Sequence, residues 1–284
     1  MNLPNPVQSG IFALVPEREY RAAVGISQSS LKPLIGQSYA HYLEALANPH
    51  PPTRAMIESS ICHQLLLTPN EPEWWIVKPE GLDGRTKEGK EWKKAAGDKP
   101  VVDTPDIYRI HSAVKAAKED PLIALAMRDA QLELSMWSDD GAGHLLRKGR
   151  ADIVPAGPVI ADCKFVEDAR EDAIRRMCAN LFWHVQGAYY LDLYNANLKE
   201  GQQFKTQFLL FCIEKYPPFP VQYYRMDEET IQDGRREYYD ALATLREFDG
   251  KPVDPQVGLY HSGSAYTRDI RTLKLRRRKE VFAI

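Results

Sequence analysis

The sequence lacks several features that would point to a membrane protein, a metal-cluster protein or a nucleotide-triphosphate enzyme. No window approaches the roughly 18 apolar residues of a transmembrane helix, and MNLPNPVQSG has no basic region followed by an apolar stretch. The four cysteines form no CxxC pair, and no GxxxxGK[ST] phosphate loop is present. We therefore expect a cytoplasmic protein without membrane contact, a cysteine-ligated zinc or iron–sulfur site, or nucleotide-triphosphate chemistry.

What is present is the composition of an ordinary globular protein. A chain of 284 residues is long enough to bury a substantial core. Its hydrophobic fraction of 44% and charged fraction of 27% are ordinary for a globular protein. A net charge of −2 neither indicates nor excludes nucleic acid, because binding follows local patches. We expect a single domain over 1–284, with a mainly helical part over 20–130, a sheet-and-helix part over 131–250 and a basic tail over 251–284.

Hydrophobic spacing predicts a change from helices to strands near position 130. The first 25 residues look irregular, and the helices that follow are predicted at about 28–49, 53–67, 87–96, 105–118 and 121–128. Later helices are predicted at about 168–179, 182–197 and 228–248, and strands at 131–137, 145–154, 159–166, 204–215 and 219–226. This order predicts an α/β (α+β) domain with a mixed central sheet flanked by helices.

The strands 145–154 and 159–166 carry one aspartate each at matching positions. If their hairpin turn is centred on Gly157, an antiparallel register places Asp152 directly opposite Asp162. Facing residues on antiparallel strands point to the same side, with Cβ atoms about 5 Å apart. The pattern therefore predicts two carboxylates side by side on one face.

A third carboxylate and a lysine extend this row. A turn centred between positions 142 and 143 places Glu133 opposite Asp152, and Lys164 shares the face of Asp162 because strand side chains alternate. Like charges placed opposite one another destabilise a sheet, so the row needs a cation, and a divalent ion with oxygen ligands is the natural candidate. The alternative is a set of exposed acids with the register slipped by one residue.

The strand sequences resemble a known nuclease signature. GRADIV, followed by ADCKF, resembles the D…(D/E)xK motif of the PD-(D/E)xK superfamily, with Asp152, Asp162 and Lys164 at the motif positions. WHVQGAYYLDLY resembles the QxxxY helix of the RecB-like branch, with Gln186 and Tyr190 one helical turn apart. No single motif is specific, but their order along the chain matches.

Two upstream segments extend the resemblance. IESSICHQLLLTP resembles the helix of that branch that carries a metal-binding histidine, here His63, and GISQSSLKPLIGQSYAHYLEAL resembles the N-terminal segment of the RecE nuclease domain. The match covers about residues 20–195. The resemblance implies a restriction-endonuclease-like core with an N-terminal helical extension, in a RecE-like enzyme encoded by a phage or prophage.

The resemblance also implies a ligand set. Asp152 and Asp162 would hold the metal through carboxylate oxygens, with the backbone carbonyl of Cys163 and the imidazole of His63 as further ligands. The ion would be Mg²⁺, in one or two copies, and the histidine ligand indicates that Mn²⁺ would also serve.

Other residues would act around that ion. The resemblance implies that Lys164 orients or activates the attacking water, while Glu133 reaches a second ion or holds a metal-bound water. Gln186 and Tyr190 would contact the lysine, that water or the DNA backbone.

Two further groups are candidates for contact with DNA phosphate. Ser27, Ser29 and Ser30 lie where a helix is predicted to begin, which suits either a 5′-phosphate site or simple helix capping. Arg150 shares the face of Asp152, so it is a candidate for touching phosphate. The basic tail at 274–279 could bind DNA without sequence preference.

The resemblance implies an exonuclease that degrades linear double-stranded DNA from 5′ ends and leaves 3′ single strands for recombination. It implies a ring-shaped homo-oligomer, expected to be a tetramer, and a single-strand annealing protein as a partner. Three alternatives stay open: an endonuclease or nickase of the same fold, a DNA-end-binding recombination partner without catalysis, and a metal-binding protein acting on a small phosphoester.

Overall fold

The computed structural model describes residues 8–139 and 145–248 of the chain. Its strands are β1 (Gly10–Phe12), β2 (Ile26–Ser27), β3 (Ile76–Lys78), β4 (Val101–Asp103), β5 (Gln131–Asp139), β6 (Leu146–Val154), β7 (Val159–Val166), β8 (Gln207–Glu214) and β9 (Val221–Arg225). Its helices are α1 (Glu17–Ala22), α2 (Gln28–Gly36), α3 (Tyr39–Ala47), α4 (Arg54–Leu67), α5 (Lys87–Ala96), α6 (Thr104–Glu119), α7 (Pro121–Met127), α8 (Glu171–Asn180), α9 (Trp183–Asn195) and α10 (Glu228–Phe248).

The predicted fold class is confirmed, because helices flank a mixed sheet in which β7 and β8 are parallel and β5, β6 and β7 are antiparallel. Strand β7 and helices α5 and α10 have the predicted boundaries. Within the described residues, no helix is long and apolar enough to cross a membrane.

For residues 8–25 the prediction of irregular structure was wrong, since these residues include β1 and α1. Strand β1 has only three residues and depends on pairing with the distant β5, while α1 buries none of its residues and so has no apolar periodicity. The single helix predicted over 28–49 is two helices, because Ser38 starts α3 by accepting a hydrogen bond from the N–H of His41. The short parallel pair β3–β4 was not predicted.

The predicted register of the central strands is confirmed. The pair Ile153–Ala161 gives an antiparallel register centred on position 157. The pairs Leu132–Ile153 and Leu134–Ala151 give the second predicted register, centred between 142 and 143. The turn over 140–144 itself lies outside the described residues.

Strands β6 and β7 separate close to their acidic residues. Among the described residues, Ile153–Ala161 is their one ladder pair, and towards its start β6 pairs instead with β2, through Ile26–Arg147 and Ser27–Lys148. Strand β2 therefore enters the gap between β6 and β7, and helix α2 begins beside the divergence. This arrangement leaves room for side chains between the two strands.

Apolar cores lie on both faces of the sheet. One is formed with α2, α9 and α10 and includes Leu31, Ala188 and Tyr238; the other is formed with α4 and α6 and includes Ile61 and Ile110. The acidic residues lie between two buried layers, where burial of a charge is costly unless it is compensated.

Helix α10 crosses α9 closely at Gly234. A Cβ atom at this position would lie 2.3 Å from the carbonyl oxygen of His184, and backbone cannot rotate away as a side chain can. We expect Gly234→Ala to lower the free energy of unfolding by about 1–3 kcal/mol, as measured by urea denaturation. Gln232→Ala, at an exposed position of the same helix, is the control and is expected to change little. Equal stability of both variants would contradict the close crossing.

Candidate metal centre and active site

The candidate site lies where β6 and β7 separate, below helix α4. Oδ2 of Asp152 accepts a hydrogen bond from the N–H of Cys163 at 2.8 Å and lies 3.3 Å from Nδ1 of His63. His63, Glu133 and Asp152 each offer a ligand atom, and these atoms all lie within 4.8 Å of one another. Three donors from one helix and two strands therefore converge at a distance that suits a single cation.

Glu133 reaches this position with an unusual backbone. Its φ is +48°, in the left-handed region that costs a residue with a side chain about 1–3 kcal/mol. The ladder pairs on either side of Glu133 and Asp152 are present, but the pair itself is not among the described pairs. The local distortion turns the Glu133 carboxylate towards His63 and Asp152, with Nη1 of Arg150 3.8 Å from Oε2.

Asp162, Lys164 and Gln186 form a second cluster next to this group. Oδ1 of Asp162 accepts from Nε2 of Gln186 at 2.7 Å, and Oε1 of Gln186 accepts from Nζ of Lys164 at 2.8 Å. Nζ of Lys164 lies 2.5 Å from Oδ2 of Asp162, so this buried carboxylate oxygen is held in an ion pair. Gln186 thereby fixes the orientation of both charged groups.

The acids carry an electrostatic cost in the absence of a cation. Burial raises the pKa of the Asp152 carboxyl well above its ordinary value, and the Asp162 carboxylate raises it further. Burial raises the pKa of Glu133 to about 8, with Asp152 adding to the shift. Both shifts mean that the ionised carboxylates need a positive charge between them.

The same buried carboxylates also shift the pKa values of Lys164 and His63. Burial lowers the pKa of Lys164, but the carboxylates of Asp162 and Asp152 outweigh it, so the net shift is upward and the lysine stays an ammonium. Burial lowers the pKa of His63 despite the carboxylates nearby. A neutral imidazole is the form that binds a metal.

Tyr190 lies near Asp162 and Asp152 and packs against β6 and β8. Its ring contacts the backbone of Gly149, where a Cβ would lie 3.0 Å from Cε1, and meets Phe208 edge-on with centroids 6.4 Å apart. Burial raises the pKa of its phenol well above the ordinary value. Tyr190 stands one helical turn after Gln186, which holds Lys164 and Asp162, and a direct role for the tyrosine stays a prediction.

Arg150 does not have the role predicted for it. Its guanidinium is buried and donates to Oε2 of Glu17 at 2.6 Å, to the carbonyl of Val15 at 2.7 Å and to Oγ of Ser135 at 3.0 Å. The expected contact with DNA phosphate is therefore corrected: Arg150 attaches the N-terminal segment to β6. The sequence pattern places it on the face of Asp152 but does not show that the N-terminal segment covers it.

Two other predicted groups have structural partners. Ser27 caps α2 in a reciprocal arrangement with Ser30, and the hydroxyls of Ser27 and Ser29 lie 3.0 Å apart. The structure therefore shows Ser27 as the cap of helix α2, and a phosphate site at these serines stays a prediction. Cys163 enters the site through its N–H, and a role for its carbonyl oxygen also stays a prediction.

Sequence reasoning missed two residues beside Lys164. The indole ring of Trp183 lies 5.1 Å from its ammonium. Lys32 of α2 interacts electrostatically with both Lys164 and Asp162. Trp183 stands one helical turn before Gln186, so helical spacing could have pointed to it, whereas Lys32 depends on how α2 docks.

Comparisons with known proteins agree with this geometry. The family model described as "PDDEXK-like domain of unknown function (DUF3799)" matches residues 27–260. The crystal structure described as "Putative exonuclease" from Eubacterium rectale has a TM-score of 0.58 and 14% identity, over 85% of this chain and 89% of that chain, a likeness that shows the fold. The crystal structure of SSO0001, at 15% identity over 69% of this chain and 88% of that chain, has a TM-score of 0.30 and supports no conclusion.

A comparison with curated proteins gives no match. The family model, however, spans most of the chain and includes the region of Asp152, Asp162 and Lys164. The resemblance of these motifs to the PD-(D/E)xK superfamily is thereby confirmed. The chain belongs to the family of PDDEXK-like domains described as DUF3799.

Proposed function

We propose that this protein is a metal-dependent nuclease that hydrolyses phosphodiester bonds of double-stranded DNA from its ends. The observation that supports it most directly is the convergence of His63, Glu133 and Asp152 next to an ammonium held by Asp162. Buried acids at such spacing destabilise one another unless a cation binds. A divalent ion accounts for the arrangement, and the PDDEXK family membership favours nucleic acid as the substrate.

The donor set fits Mg²⁺, and Mn²⁺ fits it as well. Two carboxylates from Glu133 and Asp152 supply the oxygen ligands that Mg²⁺ prefers, and the neutral imidazole of His63 favours Mn²⁺. The Asp162 carboxylate, whose Oδ2 pairs with the Lys164 ammonium, is a further oxygen donor in this proposal. When bound, the ion supplies Lewis-acid chemistry that stabilises negative charge on a phosphoryl oxygen.

The protein groups next to the ligands have separable roles in this proposal. Lys164 presents its ammonium to the scissile phosphate and to the attacking water, offsetting negative charge as the phosphorus–oxygen bond breaks. Gln186 holds Lys164 and Asp162 in place through its two amide atoms. The indole of Trp183 covers one side of the ammonium, so that Lys164 faces the acids.

The finer assignment is an exonuclease of RecE type. In this proposal the enzyme degrades linear duplex from 5′ ends, leaves 3′ single strands, forms a homo-oligomeric ring and hands its product to a single-strand annealing protein. The collinear motifs over residues 20–195 support the assignment. The similar fold of the Eubacterium rectale protein, whose printed description is "Putative exonuclease", agrees with it.

The decisive experiment compares linear and covalently closed duplex DNA. With Mg²⁺, we expect the protein to release labelled nucleotides from linear duplex, to leave closed circles intact and to lose all release when EDTA is added. Strand-specific labels at the 5′ and 3′ ends determine the polarity. Cleavage of closed circles would replace the exonuclease assignment with an endonuclease, and cleavage that persists in EDTA would overturn the metal-dependent mechanism.

A further inference from the structure

Helix α2 begins at the divergence of β6 and β7. Strand β2 pairs with β6 on the side where β7 has moved away, and the chain continues directly from Ser27 into Gln28 of α2. The first turns of α2 are therefore held close to the strands that carry Asp152 and Asp162. This placement comes from backbone pairing and does not depend on the capping hydroxyls.

One face of α2 lies against the corner between α8 and α9. Nε2 of Gln28 donates to the carbonyl of Phe182 at 3.2 Å, and a Cβ at Gly36 would lie 3.1 Å from the Phe182 ring. Positions 28, 32 and 36 follow the i, i+4, i+8 spacing of a single helix face. Lys32 therefore lies on the face that meets this corner, where Trp183 covers the ammonium of Lys164.

Lys32 is a half-buried cation without a compensating partner. No hydrogen bond or ion pair of its ammonium is found within residues 8–139 and 145–248. Burial and then the positive charge of Lys164 lower the pKa of Lys32 to about 8, and the Asp162 carboxylate opposes this shift only in part. Two lysines thus share one carboxylate, although only Lys164 is paired with it.

An anion bound in the site would resolve this imbalance. Asp162 already accepts from Gln186 and pairs with Lys164, so it cannot fully balance a second ammonium. The anion that a nuclease brings to this position is a DNA phosphate. A lysine stem that is half-buried in the protein while its ammonium stays unpaired suits a contact that forms only with substrate.

We propose that Lys32 binds a backbone phosphate of the DNA strand that enters the site, next to the scissile phosphate contacted by Lys164. The inference rests on the proposed nuclease function for the identity of the anion. It assigns the two lysines different roles: Lys164 acts at the reacting phosphate, and Lys32 holds a neighbouring one. Lys32 therefore contributes mainly to the affinity for DNA.

Binding measured without cleavage tests this assignment. Fluorescence anisotropy of a labelled linear duplex, with Ca²⁺ in place of Mg²⁺ and over a series of salt concentrations, gives the affinity and its salt dependence. We expect Lys32→Met to weaken binding about tenfold and to lower the slope of log affinity against log salt by about one. Lys32→Arg should keep most of both. Lys115→Ala, at an exposed lysine of α6, should change neither.

Thermal unfolding in EDTA distinguishes phosphate binding from a structural role. Removing an unpaired half-buried ammonium should leave the melting temperature of Lys32→Met unchanged or raise it. The assignment would be overturned if Lys32→Met bound DNA with the wild-type affinity and the wild-type salt dependence. It would also be overturned if Lys32→Met bound DNA more weakly and melted at a lower temperature than the wild type. If the wild type binds DNA through Lys32 but cleaves none, the proposed nuclease function fails while the phosphate contact stands.

Discussion

Asp152→Asn is expected to reduce cleavage by at least roughly 100-fold, since even residues that merely support metal ligands typically cost 10–100-fold when changed. Asparagine keeps an acceptor for the N–H of Cys163 but removes the negative charge between His63 and Glu133. The rate of nucleotide release from linear duplex at saturating Mg²⁺ measures the effect.

The same substitution should have the opposite effect on metal-free stability. Asp152 is buried beside Asp162, so in EDTA the removal of its charge should raise the melting temperature. The rise in melting temperature that Mg²⁺ or Mn²⁺ produces in the wild type should shrink or vanish. A variant that is destabilised in EDTA, or that keeps the full metal-induced rise, would contradict the metal site.

Lys164→Ala is expected to lower kcat by about 100- to 1,000-fold. This is the range found when a preorganised donor that stabilises a transition state is removed. The ammonium is buried against Asp162 and Gln186, and within the described residues no other lysine is paired with Asp162. In the proposed mechanism, alanine therefore removes the positive charge at the reacting phosphate. Single-turnover release of labelled nucleotides measures the chemical step apart from binding.

The melting temperature in EDTA should change in opposite directions in Lys164→Ala and Asp152→Asn. Alanine leaves the Asp162 carboxylate buried without its cation, so Lys164→Ala should melt at a lower temperature in EDTA and recover in part with Mg²⁺. Lys199→Ala, at an exposed position, controls for the loss of one positive charge. Cleavage by Lys164→Ala at the wild-type rate would exclude Lys164 from the chemistry.

The central strands and the acid row could be predicted because short turns and side-chain alternation leave little freedom. Once the two turns were centred, the register placed Asp152 beside Asp162 and Glu133, and the structure has those registers. Hydrophobic spacing predicted helix α4, which carries His63. That His63 would lie next to the acids on the sheet was implied only by the family resemblance. Turn position and side-chain alternation therefore account for the three acids on the strands, whereas the position of His63 depends on how α4 packs against the sheet.

What could not be predicted depends on contacts between distant segments. Arg150 looked available because nothing in its own strand shows that Val15 and Glu17 cover it. The position of Lys32 depends on the pairing of β2 with β6, which lies far away along the chain. The positive φ of Glu133 is also invisible in a pattern that treats the strand as regular.

The three groups of the candidate metal centre are drawn from α4, β5 and β6, and the lysine pair from α2 and β7. The complete site, with Lys164 on β7 and Gln186 on α9, therefore forms only after β7 has joined the sheet and α9 has packed against it. In the proposed enzyme, cleavage would therefore require the finished fold, and a variant in which α9 failed to pack on the sheet would not hold Lys164 and Asp162 in place.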